Sequence, residues 1–192
     1  TEDELRLFTN QFYNNLVPSA VDIYSESSDL IVKSDLMLEM SGQRIIPDEG
    51  NGWNFTALRD INFYLQYSHN CTEVNARNRY DGVARFFRAY FYFEKVKRYG
   101  DIPWYDKALD SDDPELYKAR DSREFVMQKM LEDLDFAIAN LPKTKNAYVL
   151  TRWTALALKS RVCLFEGTFR KYHGLEDCEK YLNACVSASE TF

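Results

Sequence analysis

Only two histidines, His69 and His173, occur in 192 residues, and that scarcity removes much familiar hydrolytic and metal chemistry at the outset. Catalysis needs a nucleophile beside a base, paired carboxylates in a pocket, a metal cluster or a phosphate loop. Neither histidine stands near a recognisable nucleophile, and His173 follows Phe-Arg-Lys-Tyr in a polar turn. The seven glycines form no GxGxxG or GxxxxGK[ST] loop, and HExxH and GxSxG are missing too. The four cysteines, Cys71, Cys163, Cys178 and Cys185, contain no CxxC pair and no Cys/His set at zinc spacing. They do not read as a disulfide framework; Cys163 and Cys185 fall on helical stripes, where a buried free thiol acts as a small hydrophobe. No cofactor and no metal is expected. The acid pairs Asp112/Asp113 and Asp133/Asp135 fall on a loop and on a solvated helix face, a placement that argues against glycosidase acid and base roles.

Further absences concern partners. No run of about twenty apolar residues occurs, so no helix is expected to span a bilayer, and Thr1 does not open a signal peptide. Net charge is −6 with both signs mixed along the chain, which excludes the clustered Lys and Arg of a nucleic-acid surface. Period-two alternation bounded by hairpin turns is missing, so no sheet is expected.

What is present is apolar and aromatic: 45% of the residues are hydrophobic and 15% are Phe, Trp or Tyr, enough for a sizeable core. Residues 85–105, RFFRAYFYFEKVKRYGDIPWY, hold nine aromatic side chains and five cations. Val83, Phe86, Phe87, Tyr90 and Phe93 recur at helical spacing, and Ala89, Tyr92, Val96 and Tyr99 form a second stripe round the corner. A helix apolar on most of its circumference must touch neighbours on two sides. Arg85, Arg88, Lys95 and Arg98 are left as its wet edge, Gly100 closes it and Pro103 forbids continuation.

Around this helix the pattern predicts others. Leu5, Phe8 and Phe12 mark a first helix ending near Pro18; residues 53–67 form another, with Phe55, Leu58, Ile61 and Leu65 on one stripe. Asp121 and Glu124 have capping-box spacing before Met127, Leu131, Leu134, Ile138 and Leu141, and Pro142 ends that helix. Thr151 caps the next, rich in small residues and closed by Gly167, and a last helix runs from about Glu176 to Ser189. Residues 34–52 and 101–120 lack lasting periodicity and read as two long irregular loops of functional length. The fold class is all-α: tetratricopeptide-like helix pairs forming an α-α superhelix, with a degenerate internal repeat.

The stretch RYDGVARFFRAYFYFEKVKRYGDIPWYDKAL closely resembles the signature of the SusD/RagB family. FYNNL, WNFTALRDINFYL, EFVMQKMLEDLDFAIANLP and LTRWTALALKSRVCLFEGTF fall in that family's order, so the resemblance spans almost the whole chain. It implies a lipid-anchored nutrient-binding protein of Bacteroidetes at the outer face of the outer membrane. Such a protein captures oligosaccharides or other nutrients and delivers them to a SusC-like TonB-dependent transporter. Family chains are longer, so residues 1–192 are expected to be an N-terminal tetratricopeptide-like region, with the C-terminal part, signal peptide and lipid anchor outside it. The family's ligands include starch, xylan, mucin and host glycans and peptides, and nothing in these motifs chooses among them. A rival reading is a tetratricopeptide-type scaffold that binds peptides in its concave face; an enzyme is disfavoured by the missing constellations.

Sugar recognition needs flat rings against pyranose faces and fixed polar groups for hydroxyls. The helix aromatics are committed to packing, so the loops are expected to supply these. The first loop offers Gln43, Arg44, Asp48, Asn51 and Trp53; Arg44 and Asn51 are carried over from the family by position alone. Trp53 matches the family's framework tryptophan, with packing and ligand contact both open. Trp104 and Tyr105 either stack on a sugar or pack their loop on the helices, and Asp101 is expected to hold the turn through backbone amides.

Overall fold

The structure, a computed structural model, describes residues 1–17, 41–43, 45 and 52–191. Among the described residues six α-helices run in order: α1 (Glu2–Leu16), α2 (Thr56–Tyr67), α3 (Val74–Tyr99), α4 (Arg123–Asn140), α5 (Arg152–His173) and α6 (Cys178–Thr191). Among the described residues the only strand-like pairing is one isolated bridge between Ile102 and Asp121. The antiparallel pairs α3/α4 and α5/α6 make the most extensive contacts, α4 against α5 joins them, and α1 and α2 lie against α3. The expected all-α pairing of helices is found.

Local chemistry sets the ends. Thr1 and Glu4 form a capping box on α1, whose first turn is acidic and complements the helix dipole. α2 begins later than expected, at Thr56, because the Asn54 side chain accepts the Thr56 amide at 2.8 Å and turns the chain there; Trp53 precedes the helix. α3 ends at Gly100 with φ 71°, as the sequence predicts. The cap of α4 is Ser122, whose hydroxyl accepts the Phe125 amide at 3.3 Å, in place of the expected Asp121/Glu124 box. Both acids are engaged elsewhere: Asp121 bridges to Ile102 and accepts the Trp104 amide, and Glu124 reaches Arg170 and the Tyr181 hydroxyl. Asp101 does bond a backbone amide, that of Arg123 at 2.8 Å, tying the end of one helix to the start of the next.

Gly167 does not close α5. The helix continues to His173 and stops at Gly174, which takes the left-handed conformation at φ 64°, ψ 30°. Gly167 instead lets α6 approach: a Cβ there would lie 2.7 Å from Leu182 Cδ2. Small size, not backbone freedom, explains this glycine.

The core follows both stripes of α3. Val83, Phe86, Phe87, Ala89, Tyr92, Phe93 and Val96 are buried, and Tyr90 and Tyr99 are packed against the core from its edge. One expectation fails here. Arg88 is not on the wet edge but buried, with Nε and Nη2 donating to the two Asp133 oxygens at 2.6 and 2.8 Å. Asp133, expected on a solvated face, is buried with it. Taking both charges out of water costs several kcal/mol per ion, roughly, and only bidentate geometry with further hydrogen bonds offsets it. The pair is therefore a specific cross-link between α3 and α4.

All four cysteines are free, Cys71 and Cys163 buried. Burial pushes the Cys163 thiol up to about 11, so it is an inert packing group at neutral pH.

Candidate ligand-binding site

The two expected contact regions precede α2 and follow α3 in the chain. After the helix, the chain from Ile102 to Asp121 is anchored by backbone bonds. The buried Tyr92 hydroxyl accepts the Tyr105 amide at 2.6 Å, and the Asn62 side-chain amide donates to the carbonyls of Tyr105 and Lys107 at 2.8 and 3.2 Å. Asn62 Oδ1 in turn accepts from Arg88 at 3.2 Å, which links the loop to the Arg88–Asp133 pair. Burial holds the Tyr92 phenol far above its usual value, so the hydroxyl stays protonated in this role.

Trp104 sits inside that web. Its ring stacks on Tyr92 with centroids 4.2 Å apart, Arg88 lies 5.3 Å from its centroid, and only 6% of the residue is exposed. Its amide donates to Asp121 at 2.7 Å and its carbonyl accepts from Lys118 at 2.6 Å. The structure thus places Trp104 in the core, where its face is already covered. Tyr105 is half-buried, edge-on to Phe55 at 5.9 Å, with the Lys118 ammonium 5.0 Å from its ring.

Before α2 the picture differs. Trp53 is 37% exposed; it meets Tyr99 edge-on at 4.9 Å and Phe55 at 5.3 Å, and the Arg120 guanidinium covers part of it at 5.0 Å. Gln43 is exposed. Arg44, Asn51 and Asp48 lie outside the described residues.

Beside Asn54, the residue after Trp53, runs a groove of about 540 Å³. α1 contributes Asn15 to it, the start of α2 contributes Asn54 and Asp60, and α3 contributes Tyr90, Phe91, Glu94 and Lys95. Lys95 donates to the Gly52 carbonyl and lies 4.9 Å from the Phe91 ring centroid. Its burial, and then the Arg98 charge, lower its pKa from the usual 10.5. Glu94 pairs with Lys97 at 2.6 Å, while Asp60 makes no ion pair among the described residues. The groove therefore combines carboxamides, carboxylates, one amine and two aromatic rings, a set that can accept and donate to hydroxyls beside an apolar wall.

Helices supply most of this wall, contrary to the expectation that only loops could. The missed residues carried a signal: Asn15 and Asp60 are polar positions on otherwise amphipathic helices, and Tyr90 lies at the edge of its stripe. What the sequence does not reveal is that three helix edges converge there. Asn54 and Lys95 are brought together in the groove, and Trp53 and Trp104 are not part of its lining.

Residues 18–152 match the family described as "Starch-binding associating with outer membrane". The chain belongs to the SusD-like family. A SusD-like protein from Formosa agariphila is 29% identical over 87 residues, which are 45% of this chain and 17% of that protein. A SusD-like protein from Bacteroides fragilis superimposes with a TM-score of 0.57 at 30% identity, over 70% of this chain and 25% of that one. A SusD-like carbohydrate binding protein from Bacteroides vulgatus shares the fold, with a TM-score of 0.65 at 16% identity over 97% of this chain and 45% of that one. The SusD-like chain thus spans less than half the length of each of these relatives. Among the described residues no helix is long and apolar enough to cross a membrane.

Proposed function

We propose that this SusD-like chain binds oligosaccharide in the groove beside Asn54, the residue after Trp53, without turning it over, as the N-terminal helical region of a longer surface protein. In this reading the bound sugar is delivered to a SusC-like TonB-dependent transporter at the outer face of the outer membrane, where a lipid anchor holds the protein. The observation that carries the proposal is the 37% exposed Trp53 one residue before Asn54, which lines a polar groove of about 540 Å³, on a scaffold whose other aromatics are mostly engaged in packing. An exposed indole offers a flat apolar face to a pyranose ring. Asn15, Asn54 and Asp60 offer fixed partners for its hydroxyls. The family's description, which joins starch binding to the outer membrane, supports both the ligand class and the location.

A glycan array followed by calorimetry tests the reading. At least one oligosaccharide should bind, and Asp60→Ala and Asn54→Ala should weaken it while leaving the melting temperature within a few degrees. A blank array, or turnover of the bound sugar, would contradict it. For the delivery step, co-purification of the full-length protein with an outer-membrane transporter from the native membrane is expected.

A further inference from the structure

A second hollow opens against the last turns of α3. It holds about 360 Å³ and is lined by Gly52, Glu94, Lys95, Lys97 and Arg98. Glu94 and Lys95 also line the groove beside Asn54, so the two spaces adjoin, with Lys95 on their boundary. Lys95 is fixed there by its donation to the Gly52 carbonyl. Arg98 lies against the same residue: a Cβ on Gly52 would stand 3.3 Å from Arg98 Nη1 and 3.3 Å from the Tyr99 hydroxyl. With φ 85°, Gly52 also takes a backbone conformation that favours glycine. Bare backbone at this position thus brings both cations to one wall.

The charge of this lining is one-sided. Acids outnumber lysines and arginines in the chain by 30 to 24, yet the hollow has three cations, Lys95, Lys97 and Arg98, against one carboxylate, Glu94. Glu94 is already taken by Lys97 at 2.6 Å. Lys95 and Arg98 make no ion pair among the described residues; Lys95 bonds a neutral carbonyl, and exposed Arg98 lies 5.8 Å from the Tyr99 ring centroid. After burial, the Arg98 charge is the next cause that lowers the Lys95 ammonium, so the repulsion between the two is not relieved by the lining itself. An anion would relieve it, accepting from a guanidinium whose paired N–H groups match a planar carboxylate or the oxygens of a sulfate.

We propose that the oligosaccharide taken by the groove is an acidic one, whose carboxylate or sulfate ester is seated in this hollow against Lys95 and Arg98; the inference rests on the reading of the groove given above. The groove holds the sugar ring and its hydroxyls, and the hollow selects acidic chains over neutral chains of the same backbone.

The test uses the full-length protein on an array of neutral, uronic acid and sulfated oligosaccharides, followed by calorimetry with two matched pairs. These are a galacturonate tetrasaccharide against its methyl ester, and a sulfated galactose tetrasaccharide against its desulfated form, with tetraglutamate as an acidic chain that is not a sugar. In at least one pair the acidic member should bind about tenfold or more tightly, the factor expected of hydrogen bonds to a charged group, and the preference should shrink at high salt. Preference within the first pair assigns a carboxylate, and within the second a sulfate ester. Arg98→Gln, at an exposed position, should remove most of the preference, and Glu94→Gln, which deletes the one carboxylate of the lining, should enlarge it several-fold. Equal binding within both pairs, or an array that retains neutral sugars alone, would overturn the inference and leave the reading of the groove standing. A preference that survives Arg98→Gln, or tetraglutamate bound as tightly as the acidic sugar, would overturn it as well. A blank array would overturn both.

Discussion

Trp53 and Trp104 stand at opposite ends of the same functional expectation, yet the structure treats them differently. Both follow or precede an aromatic helix, and both sit in segments without periodicity. Trp104 is held through its own backbone, with its amide on Asp121 and its carbonyl on Lys118, and its ring stacks on Tyr92 with Arg88 5.3 Å from its centroid. Among the described residues Trp53 meets the Phe55 and Tyr99 rings edge-on and the Arg120 guanidinium, and more than a third of it is exposed. The difference lies in the tethers. A loop whose backbone is bonded at several points to buried side chains brings its aromatics inward, whereas the bond from Lys95 to the Gly52 carbonyl leaves the Trp53 ring partly open.

The largest effect should come from cutting the tie under Trp104. Asp133→Ala leaves the buried Arg88 without its bidentate partner and should cost about 3–5 kcal/mol in urea unfolding. Trp104→Ala should follow, at about 3 kcal/mol from the cavity left in the core, with oligosaccharide affinity unchanged in the protein that remains folded. A Trp104 variant that keeps its stability but loses affinity would erase the contrast. Trp53→Ala should invert the pattern: a loss of about 1 kcal/mol or less in stability, and about a tenfold loss in oligosaccharide affinity by calorimetry.

Alkaline pH offers a smaller test, in which the two regions move in opposite directions. Burial raises the Tyr92 phenol in the folded state above its ordinary 10.0, so the unfolded chain loses that proton first and stability falls as pH rises past 10.0. Lys95, beside Trp53, is lowered below its ordinary 10.5, mainly by burial, so the unfolded chain holds that proton longer. Its contribution to stability rises as pH climbs through its lowered folded value toward 10.5. Melting temperatures between pH 8 and 11 should therefore fall less steeply in Tyr92→Phe than in the wild type, and more steeply in Lys95→Met.

Much of this contrast was legible in the residues. The two stripes of the central helix, its stop at Gly100 and the capping role of Thr151 all depend on interactions within a few positions, and the structure shows each. Arg88 shows where such reasoning stops. Its spacing puts it among the basic residues of α3, and nothing local distinguishes it from Arg85; what buries it is Asp133, 45 positions away on a helix whose register the sequence does not specify. The same holds for Gly167, whose meaning depends on Leu182 of the next helix. At the candidate site, Trp53 was legible as a flat ring after a loop. The convergence of Asn15, Asp60 and Lys95 in one groove was not, because three helices must pack before those edges meet.

The central claim is that the open tryptophan and not the buried one meets the sugar. Titrating the oligosaccharide that scores best on an array into wild type, Trp53→Ala and Trp104→Phe by calorimetry tests it most directly. The account predicts binding by wild type and Trp104→Phe with similar affinity and about a tenfold loss in Trp53→Ala. Undiminished binding by Trp53→Ala would contradict it.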